Sequence, residues 1–257
     1  MLMPTILVTN DDGITSPGIK ILAKTLESAG DVYVVAPESE QSAVAHALTL
    51  HRPLKVEQSG RKTFFINGTP TDCVIIAVNK ILTQKPDIIV SGINNGANLG
   101  DDITYSGTVA AAIEGTLLGI PSIAVSLVRN DNDGSGHRTL ASRFQTAANF
   151  AQEIAGKVLD NGLPADTLLN VNVPFSEKMS GVKITKQGKL VYDNGIQEVH
   201  DPRGRKCYWI GGGVPQWQPG ENTDFEAVQG GYISVTPVHL DLTNYEALEY
   251  LEENWEI

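Results

Sequence analysis

Three short runs of this chain, Ile6-Leu7-Val8, Val32-Tyr33-Val34-Val35-Ala36 and Ile88-Ile89-Val90, are apolar at every position. A strand with one face in water alternates apolar and polar residues, so unbroken runs belong to strands covered on both faces. That is the condition of a parallel sheet between two helical layers. The first intervening segment has helical spacing: Ile19, Leu22, Ala23 and Leu26 fall at i, i+3, i+4 and i+7, behind Ser16-Pro17 and ahead of Gly30. The chain therefore opens as strand, helix, strand. Each apolar run leads into a polar loop: Asn10-Asp11-Asp12-Gly13, Glu38-Ser39-Glu40-Gln41-Ser42, and Asn94-Asn95-Gly96-Ala97-Asn98.

The same pattern continues through the middle of the chain. Short strands are expected at 54–56 and 63–66 with Gly60 in the turn, then a helix from Asp72 through Leu82 and a strand at 88–92. A helix starts at Gly107 or Thr108 and runs to about Leu118; a strand covers 120–127, with Pro121 at its entrance. After a polar loop at 129–137, the longest helix spans 138–159, its core stripe marked by Leu140, Phe144, Ala147, Ala148, Ala151, Ile154 and Val158. Leu168 to Val173 forms a fifth strand, stopped by Pro174. Beyond Gly181 the character changes to short strands at 182–185, 189–192, 207–210 and 232–236, with Gly211-Gly212-Gly213 among them and a last helix over 242–254. The expected fold class is α/β: a mostly parallel sheet core over 1–185, then a β-rich segment with a C-terminal helix over 186–257, the two making one functional unit. Such a tail leaves strand edges open, so it is expected to pack on the core and on another subunit.

With 19 basic against 30 acidic residues and a formal charge of −11, the chain lacks the basic footprint that polymeric DNA or RNA requires. A small anion would need a metal ion or aimed backbone N–H groups instead. Cys73 and Cys207 form no C-x-x-C pair, so neither a disulfide framework nor a zinc site is indicated, and each reads as a small buried hydrophobe. Met1-Leu2-Met3-Pro4 runs into the first strand with no visible signal peptide. The best membrane candidate, Val109 to Ile120, is interrupted by Glu114 and Gly115, so no membrane partner and a cytoplasmic location are expected.

In an open parallel sheet, ligands bind outside the carboxyl ends of the strands. Four such ends carry Asn10/Asp11/Asp12, Ser42, Asn94/Asn95/Asn98 and Ser126/Arg129. Two carboxylates with neutral oxygens are a hard donor set, suited to Mg²⁺, Mn²⁺ or Ca²⁺. Adjacent strand residues point to opposite faces, so Asp11 and Asp12 can share an ion only where Gly13 has begun to turn the chain. The plainer reading, that the two aspartates only cap the next helix, loses ground because three further polar loops converge on the same edge. Tyr105-Ser106-Gly107-Thr108 is a helix start whose free N–H groups suit a phosphate, while N-capping by Ser106 or Thr108 is compatible with that role.

Other motifs fail on spacing. There is no G-x-x-x-x-G-K-[ST], no G-x-G-x-x-G, no H-E-x-x-H and no G-x-S-x-G. Asp131 to Gly136 begins like a calcium loop but has Ser142 where the closing Glu belongs. His46 and His51 lie near Ser42 and read as structural. A phosphatase using an aspartate nucleophile would need a carboxylate where this chain has Asn10, which favours attack by metal-activated water.

Together these stretches resemble the SurE, or survival protein E, family. The resemblance rests on Thr9-Asn10-Asp11-Asp12-Gly13 with Pro17-Gly18, Val35-Ala36-Pro37 with Gln41-Ser42, Gly68-Thr69-Pro70-Thr71-Asp72-Cys73, and Ser91-Gly92-Ile93-Asn94 through Asp102. It continues in Tyr105-Ser106-Gly107-Thr108-Val109-Ala110-Ala111, Asp201-Pro202-Arg203-Gly204, Thr223-Asp224 and Thr236-Pro237. What it implies is a Rossmann-like core with a C-terminal arm exchanged in homodimers or homotetramers. The implied activity is a metal-dependent phosphomonoesterase on nucleoside 5′- and 3′-monophosphates, and in some members on short polyphosphate. By motif, Asp11, Asp12, Ser42 and Asn94 correspond to ligands of one Mg²⁺ or Mn²⁺ per subunit, with Asp11 and Asp12 catalytic. Asn10, Asn98, Ser106, Gly107 and Thr108 correspond to substrate and phosphate contacts. Ala43 departs from the Gly that many relatives carry after the serine. The alternatives are a broad-specificity α/β phosphatase and a non-catalytic Mg²⁺-nucleotide sensor.

Overall fold

The computed structural model describes residues 3–129, 137–176, 178–192, 195–210 and 215–255. Gly211-Gly212-Gly213 and the calcium-like stretch 131–136 lie outside the described residues.

The chain opens β1 (Thr5–Thr9), α1 (Pro17–Leu26), β2 (Asp31–Pro37), β3 (Val56–Gly60), β4 (Thr63–Ile66), α2 (Pro70–Ile76) and β5 (Ile88–Asn95). It continues α3 (Gly107–Leu117), β6 (Ser122–Val128), α4 (His137–Asn161) and β7 (Thr167–Pro174). The tail holds β8 (Gly181–Ile184), β9 (Leu190–Tyr192), β10 (Ile196–His200), β11 (Lys206–Ile210), β12 (Pro215–Trp217), α5 (Asp224–Gln229), β13 (Tyr232–His239) and α6 (Tyr245–Asn254). One nine-stranded sheet runs β3-β4-β2-β1-β5-β6-β7-β13-β8. Strands β4, β2, β1, β5, β6 and β7 are parallel neighbours, as their unbroken apolar runs require.

Alternate residues of each strand face opposite layers. Ile6 and Val8 pack with Ile19, Leu22 and Leu26 of α1 and with Phe144, Ala147 and Ala151 of α4. Leu7 and Ile89 face the other way, against Cys73 and Val74 of α2 and Ala111 of α3. The helix predicted from Asp72 is present: Thr69 and Asp72 form a reciprocal capping box, Pro70 occupies the first turn, and a wider π turn carries it over Ala77–Ile81.

The tail differs from the expectation in three respects. Strand β13, assigned from sequence to the arm, returns to the central sheet, antiparallel to β7 and parallel to β8. Strands β10 and β12 and helix α5 were not foreseen. Cys73 is buried as expected, but Cys207 is exposed on β11. The β10–β11 hairpin forms its own two-stranded ribbon, and β9 pairs with β12 in another.

Candidate active site

The site is built where β1, β2 and β5 end side by side. After Thr9 the chain leaves the sheet, and the Asn10 carboxamide closes the turn by donating to the Gly13 carbonyl at 3.1 Å and to Ser16 Oγ at 2.9 Å. Gly13 sits at φ +87°, a conformation that disfavours a side chain, and a Cβ there would meet the Ser39 backbone at 3.1 Å. The β2 loop is stitched to this turn: Gln41 N–H donates to the Asp11 carbonyl at 2.8 Å and Ile14 N–H to the Pro37 carbonyl at 2.9 Å. On the other side, Asn95 N–H donates to Asp12 Oδ2 at 3.1 Å, tying in β5. These bonds bring the Ser42 and Asn94 segments against the aspartate turn.

The start of α3 is aimed at Asp11. Thr108 N–H donates to Asp11 Oδ2 at 3.0 Å, and the Thr108 hydroxyl donates to Oδ1. Gly107 permits this approach, since a Cβ there would lie 2.8 Å from Asp11 Cβ. A carboxylate is thus held by a helix N-terminus, an arrangement the helix dipole favours. Burial nevertheless pushes the Asp11 carboxyl above its ordinary value, against the pull of the Thr108 bonds. Asp12 is pushed up to about 6, first by burial and then by the charge of Asp11. Among the described residues no cationic side chain pairs with either aspartate.

Buried Asp11 beside half-buried Asp12, two like charges with no described cation between them, is a place where a divalent ion would fit, and the neighbouring donors suit one. Asn94 Nδ2 donates to the Gly96 carbonyl at 3.0 Å, which turns the carboxamide so that its nitrogen is spent on the loop. Ser42 Oγ donates to Glu40 Oε1 at 2.5 Å, leaving the lone pairs of the hydroxyl oxygen unused by that bond. Hard oxygens from two carboxylates, a carboxamide and a hydroxyl suit Mg²⁺ or Mn²⁺. Among the described residues no group of three or more His, Cys, Asp or Glu is placed to hold a metal ion, so an ion here would be met by two carboxylates and neutral oxygens.

Two of the expected substrate contacts are engaged within the protein. Asn10 is fully buried and both amide protons of its side chain are used inside the turn, so its carboxamide shapes the aspartate loop, while its Oδ1 has no hydrogen-bond partner among the described residues. Thr108 is also fully buried and spends its N–H and hydroxyl on Asp11. Ser106 caps α3, its Oγ accepting from Val109 N–H at 3.1 Å, and the Gly107 N–H makes no hydrogen bond among the described residues. Asn98 is held from below, its Nδ2 donating to Ser126 Oγ at 2.8 Å.

Several neighbours were missed from sequence. Glu40 raises both aspartates by its charge and accepts the Ser42 proton. It stood in the polar loop beside Ser42, and its type alone did not separate it from a solvated surface acid. His46 Nε2 lies 2.9 Å from Glu114 Oε2 on α3, a tie between loop and helix that agrees with the structural reading of this histidine. His51 and Arg129 are exposed.

The family model described as Survival protein SurE matches residues 6–194. A 5'-nucleotidase SurE of Geobacter sulfurreducens is 55% identical over 254 residues, covering 98% of this chain and 94% of that protein. A 5'-nucleotidase SurE of Geotalea uraniireducens is 52% identical over 254 residues, covering 98% of this chain and 99% of its own. The crystal structure of the Sure protein from Aquifex aeolicus superposes with a TM-score of 0.82 at 44% identity, covering 97% of this chain and 99% of that one. A family match that takes in the aspartate turn, the Ser42 loop, β5 and the start of α3 leaves one assignment: this chain belongs to the SurE family.

Proposed function

We propose that the protein is a 5′-nucleotidase, a phosphoric monoester hydrolase releasing phosphate from nucleoside monophosphates. The proposal includes dependence on one Mg²⁺ or Mn²⁺ per subunit, action on 3′-monophosphates and short polyphosphate, a homo-oligomeric state and a cytoplasmic location. The observation that supports it most directly is the pair of buried Asp11 and half-buried Asp12, unmatched by any described cation and set against the start of α3. No described helix is long and apolar enough to cross a membrane.

Asp11, Asp12, Ser42 and Asn94 would hold the ion. When bound, such an ion neutralises charge on the phosphoryl oxygens and lowers the pKa of a water. The remaining work falls to the chain. Thr108 fixes the Asp11 carboxylate in one orientation by gripping both of its oxygens. Asp12 has one oxygen bonded to Asn95 N–H; the other orients the attacking water. The Gly107 N–H and the Ser106 hydroxyl proton, next to Asp11, donate to the phosphoryl oxygens, as preorganised donors at a helix start do.

Phosphate release from AMP in Mn²⁺ tests the reading. Turnover is expected, with loss on adding EDTA and in Asp11→Asn. AMP binding without hydrolysis under any divalent ion would instead make the protein a nucleotide sensor. A panel of 5′- and 3′-monophosphates and tripolyphosphate tests the wider substrate range.

A further inference from the structure

Asn98 lies in the loop between β5 and the turn Gly100–Thr104, where the backbone has no strand to pair with. Side chains from β6 and β7 take the place of one. The Asn98 N–H donates to Asn172 Oδ1 at 2.9 Å, and the Asn98 carbonyl accepts from Asn172 Nδ2 at 2.8 Å and Asn170 Nδ2 at 2.9 Å. One carboxamide thus satisfies both polar groups of the Asn98 backbone, as a neighbouring strand would. The Asn98 side chain is gripped separately by Ser126 Oγ. Ser126 and Asn172 are register partners in the β6–β7 ladder and point to the same face.

Asn170, Asn172 and Ser126 are fully buried and Asn98 is 7% exposed. Polar side chains in a sheet interior are costly unless paired, and apolar packing would anchor a loop at lower cost. What a hydrogen-bonded anchor adds is orientation. A carboxamide nitrogen carries two protons; Ser126 takes one from Asn98 and the other has no partner among the described residues. The neighbouring Asn94 and the Asp12-bound Asn95 end β5, the strand that leads into this loop.

We propose that Ser126 and Asn172 are positioning residues: by holding the side chain and peptide of Asn98, they direct its remaining amide proton to the phosphoryl group of a bound nucleotide. This rests on the nucleotide-binding reading given above. Ser126 accordingly acts through Asn98, and its removal has no separate effect once the Asn98 carboxamide is gone.

A double-mutant cycle tests this. Affinity in Mn²⁺ for a phosphonate analogue of AMP, whose P–C bond cannot be hydrolysed, is measured by calorimetry, and AMP turnover separately, for wild type, Ser126→Ala, Asn98→Ala and the pair. Each single change is expected to weaken analogue binding about tenfold, and the pair also about tenfold. Additive losses, about a hundredfold in the pair, would overturn the proposal, as would wild type that binds no analogue. Should Ser126→Ala fail to fold, Asn172→Asp replaces it in the cycle with the same criterion. Analogue bound but AMP not hydrolysed by wild type removes the hydrolase reading and leaves the cycle on affinity to decide this one. Hydrolysis with additive losses removes this one alone.

Discussion

Asp12 carries the electrostatic cost of the site. Its folded-state pKa of about 6 lies above the ordinary 3.8, because burial and then the Asp11 charge disfavour ionisation. For a group raised in this way the stabilising contribution is complete below the unfolded value and is lost as pH climbs through the folded one. Metal-free protein is therefore expected to melt at falling temperature as pH rises from about 4 to about 7. In EDTA near about pH 7.5, Asp12→Asn should recover roughly 1–2 kcal/mol, discounted for partial solvent screening. Thermal melts with and without Mn²⁺ check this: the ion should stabilise wild type strongly and the variant little. A variant no more stable than wild type in EDTA would sink the idea. A second residue-scale effect lies beside Ser42, where Ala43 and Ala45 adopt φ of 55° and 52°. A Cβ is strained there. Ala43→Gly should raise the unfolding free energy by about 1 kcal/mol, read as a higher urea midpoint at unchanged slope.

At the scale of elements, the loop carrying Asn98 is held from the tail as well as from the sheet. Asp224, the first residue of α5 and fully buried, accepts Gly100 N–H at 2.8 Å, Gly188 N–H at 2.9 Å and Phe225 N–H at 2.8 Å. Asp224→Ala leaves those buried donors without their acceptor and should cost about 3 kcal/mol. Faster hydrogen exchange at the Gly100 and Gly188 amides would locate the loss; unchanged exchange there would contradict it. This latch also shows why the tail was hard to read in advance. Strands β1, β2 and β5 and helix α1 announce themselves by local pattern, because burial on both faces or one face repeats at their own period. Strand β12 has three residues and α5 has six, too short for a period to register. The return of β13 to the sheet is decided by β7 and β8, not by anything within Tyr232–His239. The Thr223-Asp224 and Asp201-Pro202-Arg203-Gly204 motifs were visible as words without roles. In the fold the first is a helix cap and latch, and the second is a hairpin turn in which Asp201 accepts from Arg203 and Arg205 N–H groups at 2.9 Å. The site divides in the same way. The types and spacing of Asp11, Asp12, Ser42 and Asn94 indicate hard-metal chemistry, but whether a donor faces a ligand or is spent inside the protein depends on long-range bonds. The Thr108 bonds to Asp11 are of that kind.

At the scale of the whole molecule, the apolar surface is concentrated in the parts that the central sheet does not cover. Both strands of the β10–β11 ribbon are exposed throughout, with Ile210 at 93%, Trp209 at 67% and Ile196 at 64%. Helix α6 buries no residue, and Leu242 just before it is 92% exposed. Large apolar side chains left this exposed on a ribbon and a helix suit surfaces meant for contact, and an open ribbon edge is the easiest to satisfy with another strand. In an acidic chain of net charge −11, long-range repulsion opposes association, so the contact must be supplied by this apolar area and should tighten as salt screens the charge. The homo-oligomer proposed above therefore makes a defined prediction: light scattering at micromolar concentration gives a multiple of the chain mass, at least as large in about 0.5 M NaCl as at low salt. Replacing Trp209 and Ile210 together by Glu should lower that mass while leaving the far-ultraviolet circular dichroism intact, because neither side chain contributes to the core. A monomeric wild type, or an assembly indifferent to both substitutions, would show that the ribbon is not its interface.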